Sequence, residues 1–174
     1  VNTRTAGFAS VDIGAQGDFT KVLSVALMFI GGCPGSTAGG VKTTTLVVLL
    51  VTVFSTLRGS EEAVALRHRF APSVVYKSLT VVLLGLGVVF ADACALRFLN
   101  PGLPFLDLLY ESASAFGTAG LSASLTPRLE PVSRLLLCLT MFIGRVGPLS
   151  FGVSILMRAK TAGTIFPQGR MLIG

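Results

Sequence analysis

The string Thr-Ala-Gly stands at Thr5-Ala6-Gly7 and again at Thr118-Ala119-Gly120, and one landmark follows each copy at the same distance. Met28-Phe29-Ile30-Gly31 begins twenty-one residues after Gly7, and Met141-Phe142-Ile143-Gly144 begins twenty-one after Gly120. Two matched strings in one register mark a structural unit repeated with a period of 113 residues (118 − 5). Both copies lie beside long apolar runs. Irregular backbone among apolar segments is tolerated where it is buried in protein or lines water. A repeated glycine turn there suggests backbone oxygens arranged about a shared axis.

Of the 174 residues, 52% are hydrophobic and 13% charged, and the mean hydropathy is +0.79. A soluble domain carries about 25% charged residues. Half that charge leaves too little polar surface to cover a globule, so the chain falls in the membrane class. The net charge is +6. Its bases are scattered between apolar runs with no basic-aromatic cluster, so they read as topology-setting loop charge, with no nucleic acid partner. Cys33, Cys94 and Cys138 have neither pairing nor metal spacing, and His68 sits alone in a basic loop. These residues offer no disulfide framework, metal site or cofactor site. Without a paired base and nucleophile, the chain is not expected to be an enzyme. Val1 is not an initiator, and two apolar segments precede the second Thr-Ala-Gly while none precedes the first. The chain therefore reads as the C-terminal part of something longer.

Residues 1–18 are polar and turn-rich. An apolar run from Val22 to Ile30 breaks over Gly31–Gly40 and resumes from Val41 to Leu57. Five glycines and a proline in that ten-residue stretch rule out ordinary helix. Each half is too short to span a bilayer, which takes about 20 helical residues; together they span it with an interruption. A hydrophilic connection covers 58–77, and a full-length span runs from Val74 to Leu99, ended by Asn100-Pro101-Gly102. Residues 104–116 predict an amphipathic helix of half-membrane length that stops at Gly117, directly before the second Thr-Ala-Gly. A second span runs from Val132 to about Met157, broken over Gly144–Pro148, and a basic tail follows. The fold class is all-α membrane protein. The division is 1–57, the end of one repeat; 58–73, a connection; 74–157, a whole repeat of span, half-helix, glycine turn and span; and 158–174, the tail. Lysine and arginine are concentrated in the connection and tail, which places both in the cytoplasm and the glycine turns towards the outside.

Carbonyls in a Thr-x-Gly strip can replace the water of a dehydrated cation. Glycine adopts the backbone angles that let successive carbonyls point one way. The carbonyl end of helix 104–116 would add partial negative charge beside that strip. Gly35–Thr43 imitates a phosphate-cradling loop, but Val41 stands where that motif needs lysine, and no strand precedes it.

Asn2–Phe8, Met28–Thr45, Ser114–Ser122 and Met141–Pro148 closely resemble the Trk/Ktr/HKT superfamily of potassium transporters, and the Ktr membrane subunits in particular. The ending Pro167–Gly174 is similar too. That superfamily builds a pore from four repeats of span, half-helix and span (K+-channel-like). The resemblance implies that this chain holds the end of the third repeat and all of the fourth. It implies a potassium filter at Thr5, Ala6, Gly7 and Phe8 and at Thr118, Ala119, Gly120 and Leu121. Glycine at Gly7 and Gly120 goes with potassium selectivity, and serine at such a position in some relatives goes with sodium passage. It implies a gate in the intramembrane loop of Gly31, Gly32, Pro34, Gly35, Ser36, Thr37, Ala38, Gly39 and Gly40, with Arg145 projecting into the pore beside it. It further implies a multi-pass protein of the bacterial plasma membrane, in contact with lipid. The partners implied are a second copy, forming a homodimer, and a cytosolic nucleotide-binding regulatory ring of the KtrA/TrkA type. The transported ion is K+, and no cofactor is implied.

A buried arginine in a span is costly and marks a pathway or a pair. Arg145 is therefore either a gate or a structural partner of a helix carbonyl or of Asp92. Lys42 either caps or snorkels at the lower half-helix, or gates. Glu111 either anchors the half-helix at the wet surface or meets the ion. Two other functions remain open: a secondary cation transporter with broken helices coupled to Na+ or H+, and a non-conducting truncated fragment.

Overall fold

A computed structural model describes residues 7–9, 13–36, 38–59, 64–65 and 68–147. They form five α-helices, with a minimal ribbon between the second and third. Helix α1 (Asp18–Phe29) and helix α2 (Thr43–Leu57) are separated by the glycine-rich loop. The loop's neck is closed by backbone. The N–H of Gly31 donates to Val41 O at 2.8 Å, and that of Val41 donates to Phe29 O at 3.1 Å. At about 18 and 22 Å, neither helix reaches across a hydrocarbon core of about 30 Å.

Strands β1 (Val64–Ala65) and β2 (His68–Arg69) pair antiparallel inside the connection. Two-residue strands are too short to carry an alternating pattern for a sequence reading to find. Helix α3 (Pro72–Leu99) starts on a proline, whose missing N–H costs nothing in a first turn. It ends at Asn100. Its 28 residues reach about 42 Å, and among the described residues it is the one helix long and apolar enough to cross a membrane.

Helix α4 (Phe105–Gly117) packs against α1, α3 and α5. The amphipathic expectation is corrected here: every residue from Tyr110 to Gly117 is buried. The sequence permits this because Ser112, Ala113, Ser114, Ala115 and Gly117 are small and let three neighbours come close. A short 3₁₀ turn (Thr126–Arg128) leads to helix α5 (Pro131–Val146). Helix α5 ends at Val146, inside the stretch Gly144–Pro148 where a break is expected, and Gly147 closes it with φ at 93°. The rest of that span, 148–157, and the tail, 158–174, lie outside the described residues.

Polar side chains are buried beside the apolar core, and large apolar ones are exposed. Lys21, Asp92, Asn100, Glu111, Ser112, Ser114, Ser133 and Thr140 are buried. Tyr76, Leu79, Leu83, Leu86 and Phe90 form an exposed stripe along α3 at helical spacing. Hydrocarbon surroundings favour this arrangement, because the inward polar groups then satisfy one another. Asn100 shows the principle: its Nδ2 donates to Ser133 Oγ at 2.7 Å and ties the end of α3 to α5.

Packing is closest at glycines. A Cβ built on Gly144 would lie 2.0 Å from Phe116 O, whereas one on Gly87 would meet nothing within 4 Å. Gly144→Ala should therefore destabilise the intact protein by about 3 kcal/mol through overpacking. Gly87→Ala should leave it equal or about 0.5–1 kcal/mol more stable. Thermal melting of the detergent-solubilised protein compares the two.

Candidate functional site

The second Thr-Ala-Gly string leaves the carbonyl end of α4. Thr118 takes left-handed angles (φ 51°, ψ 36°), which cost a β-branched residue about 1–2 kcal/mol. Its conformation is set from both sides. The N–H of Thr118 donates to Ala115 O at 3.1 Å, and that of Ala119 donates to Ser114 O at 2.9 Å. Thr118 Oγ1 also accepts the N–H of Gly39 at 2.9 Å. Strain held in place by several neighbours is the kind found at functional sites.

That last bond brings the glycine loop against the string. Gly31, Gly39 and Gly40 at the base of the loop are buried, and Pro34, Gly35 and Ser36 at its tip are exposed. Gly32 and Ala38 lie between these extremes, and Thr37 lies outside the described residues. Lys42 holds the loop from below: its ammonium donates to Ala38 O at 2.6 Å and Ser36 O at 3.4 Å. Within the loop, the N–H of Ala38 donates to Ser36 Oγ at 3.1 Å. The carbonyl of Phe116 is wedged between the loop and α5. Cβ atoms built on Gly39 and Gly144 would lie 3.1 Å and 2.0 Å from it. Gly31 and Gly144, the in-register glycines of the repeated landmark, thus share a job. Each lets a backbone oxygen approach where a Cβ would collide, Gly39 O in one case and Phe116 O in the other.

Thr5 and Ala6 of the first string lie outside the described residues, while Gly7 and the exposed Phe8 lie within them. Gly7 and Gly120 have matching left-handed angles, φ 69° and 74°. They also meet: a Cβ built on Gly120 would stand 3.4 Å from Gly7 Cα, and one on Gly7 would point into open space. Around Gly120 the string alternates. Ala119 and Leu121 are buried and Gly120 is exposed. One edge of the strip is therefore packed and the other open, which leaves backbone available to a cation.

The packed edge is clasped by α4. Ser114 Oγ accepts the N–H of Leu121 at 3.0 Å and donates to Leu121 O at 2.5 Å. Glu111 is buried, not seated at a wet surface as an anchor there would be, and its carboxylate accepts from Ser122, Ala123 and Thr126. No sequence signal links Glu111 or Ser114 to these partners, which belong to a segment without periodicity. The charged groups of α1 and α4 are linked as well. Lys21 Nζ lies 2.6 Å from Asp107 Oδ1 in a largely buried pair.

Arg145 is exposed in the last turn of α5. Asp92 is buried in α3 facing the Ser112 and Thr140 hydroxyls, without a hydrogen bond of ordinary geometry to either. Neither carboxylate oxygen has a hydrogen-bond partner, so the hydrogen-bonded pairing of Arg145 with Asp92 is not formed. Among the described residues no cluster of His, Cys, Asp and Glu suits a metal ion.

The TrkH family of cation transport proteins matches residues 1–164, and the chain belongs to that family. It is 39% identical over 174 residues to the Ktr system potassium uptake protein B of Bacillus subtilis, covering 100% of this chain and 39% of that protein. It is 35% identical over 179 residues to the potassium/sodium uptake protein NtpJ of Enterococcus hirae, covering 100% of this chain and 40% of that protein. With the Trk system potassium uptake protein TrkH of Escherichia coli K12 it shares 30% over 159 residues, covering 82% of this chain and 31% of that protein. The chain thus spans about two fifths of the length of the first two relatives.

The Lys21–Asp107 pair offers a test of how α1 is held to α4. Lys21→Met leaves Asp107 with no cation and should destabilise the intact protein by about 3 kcal/mol. Lys21→Met combined with Asp107→Leu should recover most of that loss. A double-mutant melting cycle measures both.

Proposed function

We propose that this chain supplies two of the four walls of a potassium uptake pore in the cell membrane. In this proposal Thr5, Ala6, Gly7 and Phe8 form one wall of the filter, and Thr118, Ala119, Gly120 and Leu121 form the next. Potassium moves down its electrochemical gradient through their carbonyls. The observation that carries the proposal is the meeting of Gly7 and Gly120, two residues 113 apart with one conformation and an open face. The strained Thr118 and the small-residue packing of α4 favour it too. The names of the Ktr and Trk relatives, potassium uptake proteins, agree with the choice of ion, and that of NtpJ names potassium and sodium.

The loop 31–40 is the proposed gate. It hangs from Thr118, a residue of the proposed filter, through the Gly39 hydrogen bond, and from Lys42 below. Filter and gate would therefore be joined by one hydrogen bond, from the Gly39 N–H to Thr118 Oγ1. Arg145, at the end of α5, would complete the gate from the neighbouring repeat. The exposed apolar faces of α2, α3 and α5 would meet lipid, the remaining repeats and a second copy. A nucleotide-binding regulatory ring would dock on the cytoplasmic side, and the naming of relatives as parts of a Ktr system agrees with a multi-component assembly. A second proposal, a carrier coupled to Na+ or H+, draws on Asp92, because an unpartnered ionisable group in a span is the kind of residue such carriers use.

Three measurements on the intact transporter test these proposals. Gly7→Ser and Gly120→Ser should each let sodium compete with potassium uptake; unchanged selectivity in both refutes the filter. Lys42→Met keeps the aliphatic stem and removes the charged hydrogen bonds, about 1.5–3 kcal/mol of hold on the loop. Potassium flux should rise several-fold, and unchanged flux would show that the loop is not a gate. Uptake into proteoliposomes lacking sodium, with no proton gradient, should persist; strict dependence on either ion would favour the coupled carrier.

A further inference from the structure

After Thr118 the chain runs from Ala119 to Ala123 without helix or strand. Its backbone groups have no ladder to bond with, yet Ala119, Leu121 and Ala123 are buried. Buried amides need partners, and α4 supplies them from two positions on one face. Ser114 takes both the N–H and the carbonyl of Leu121. One turn earlier, Glu111 Oε1 accepts the Ser122 hydroxyl and, at 3.1 Å, the N–H of Ala123. Glu111 Oε2 lies 3.3 Å from Thr126 Oγ1, which also reaches Ser122 Oγ at 2.9 Å. A single buried carboxylate thus gathers three donors from five residues of chain. Each donor lies on the stretch that continues from Gly120 and Leu121.

We propose that Glu111 is a positioning residue for ion selection. It fixes the strip Leu121–Thr126, and through Leu121 it sets the direction of the carbonyls that end at Gly120. This inference rests on the proposal that Thr118–Leu121 is one wall of the filter. Glu111 does not face the ion. It is 4% exposed, and both of its oxygens are occupied by donors from the strip. Its chemistry suits the task because a carboxylate only accepts, whereas the three groups around it can all donate. Glutamine in its place keeps the length but presents an NH₂ where only acceptors would serve.

The test is potassium uptake by the intact transporter with sodium as competitor. The variants are Glu111→Gln, Glu111→Asp and Ser122→Ala, with Gly120→Ser as the reference for the filter itself. Glu111→Gln should raise the KM for potassium and let sodium inhibit at about ten-fold lower concentration, the change that 1.4 kcal/mol makes. Glu111→Asp keeps the carboxylate and should recover part of the loss. Ser122→Ala removes one donor and should shift both quantities in the same direction by less. The proposal is overturned if Glu111→Gln lowers only the amount of protein or the maximal uptake, with KM and sodium inhibition at parental values. Should Glu111→Gln fail to fold, parental KM and sodium inhibition in both Glu111→Asp and Ser122→Ala overturn it equally. If Gly120→Ser shifts selectivity and the Glu111 variants do not, this inference fails alone. If Gly120→Ser is silent as well, the filter proposal falls with it.

Discussion

The carbonyl end of α4 is the point on which the rest of the structure depends. Four pieces of chain converge on Phe116, Gly117 and Thr118, and all come too close for ordinary side chains at the contact. Gly117 lies under Met28 O of α1, Gly39 brings the loop in, and Gly144 brings in α5. Gly85 of α3 receives the rings of Phe116 and Phe29, which stack with centroids 5.7 Å apart. Lipid supplies no hydrophobic force between helices, so contact area and backbone approach must hold a bundle of this kind together. A Cβ at any of these glycines would press on the elements that position the second Thr-Ala-Gly string.

The polar groups act on that packed frame in a way water would not allow. Inside the bundle each hydrogen bond lacks competition from solvent, and an unmade one is expensive. Lys21 with Asp107, Asn100 with Ser133, and Ser112 with Val89 O each fasten α4 or α5 to a neighbour. Thr118 belongs to two systems at once. Its backbone ends α4 and its hydroxyl holds the glycine loop. Any movement of the loop must act on the residue that begins the second string, so the proposed gate and filter are mechanically coupled.

Much of the fold is written in local chemistry. Pro72 and Asn100 bound α3, Pro104 and Gly117 bound α4, and the run of glycines after Ile30 stops α1; each acts within a few residues of itself. Other features were not legible. The paired strands Val64–Ala65 and His68–Arg69 are too short to carry a pattern. The burial of the second half of α4 on all sides depends on three partners far along the chain, although its small residues hint at close contact. Arg145 stands exposed, because burial is set by what packs around α5 and not by the apolar letters beside it. The sequence does not decide whether Lys42 caps, snorkels or gates. Its bonds to Ala38 O and Ser36 O depend on the path of the loop, which the glycines leave free.

By itself, the sequence determined the class of the chain, the helices and their breaks, and the in-register repetition of Thr-Ala-Gly with Met-Phe-Ile-Gly. Those follow from hydropathy, from backbone angles that few residues share, and from spacing, all properties a linear string possesses. Only the tertiary structure decided that Gly7 meets Gly120, that Gly39 hangs from Thr118, and that Glu111 gathers the strip after the second string. These contacts join residues 113, 79 and up to 15 positions apart. Their formation depends on how closely helix backbones approach, which is fixed by atoms that are missing at glycine as much as by those present elsewhere.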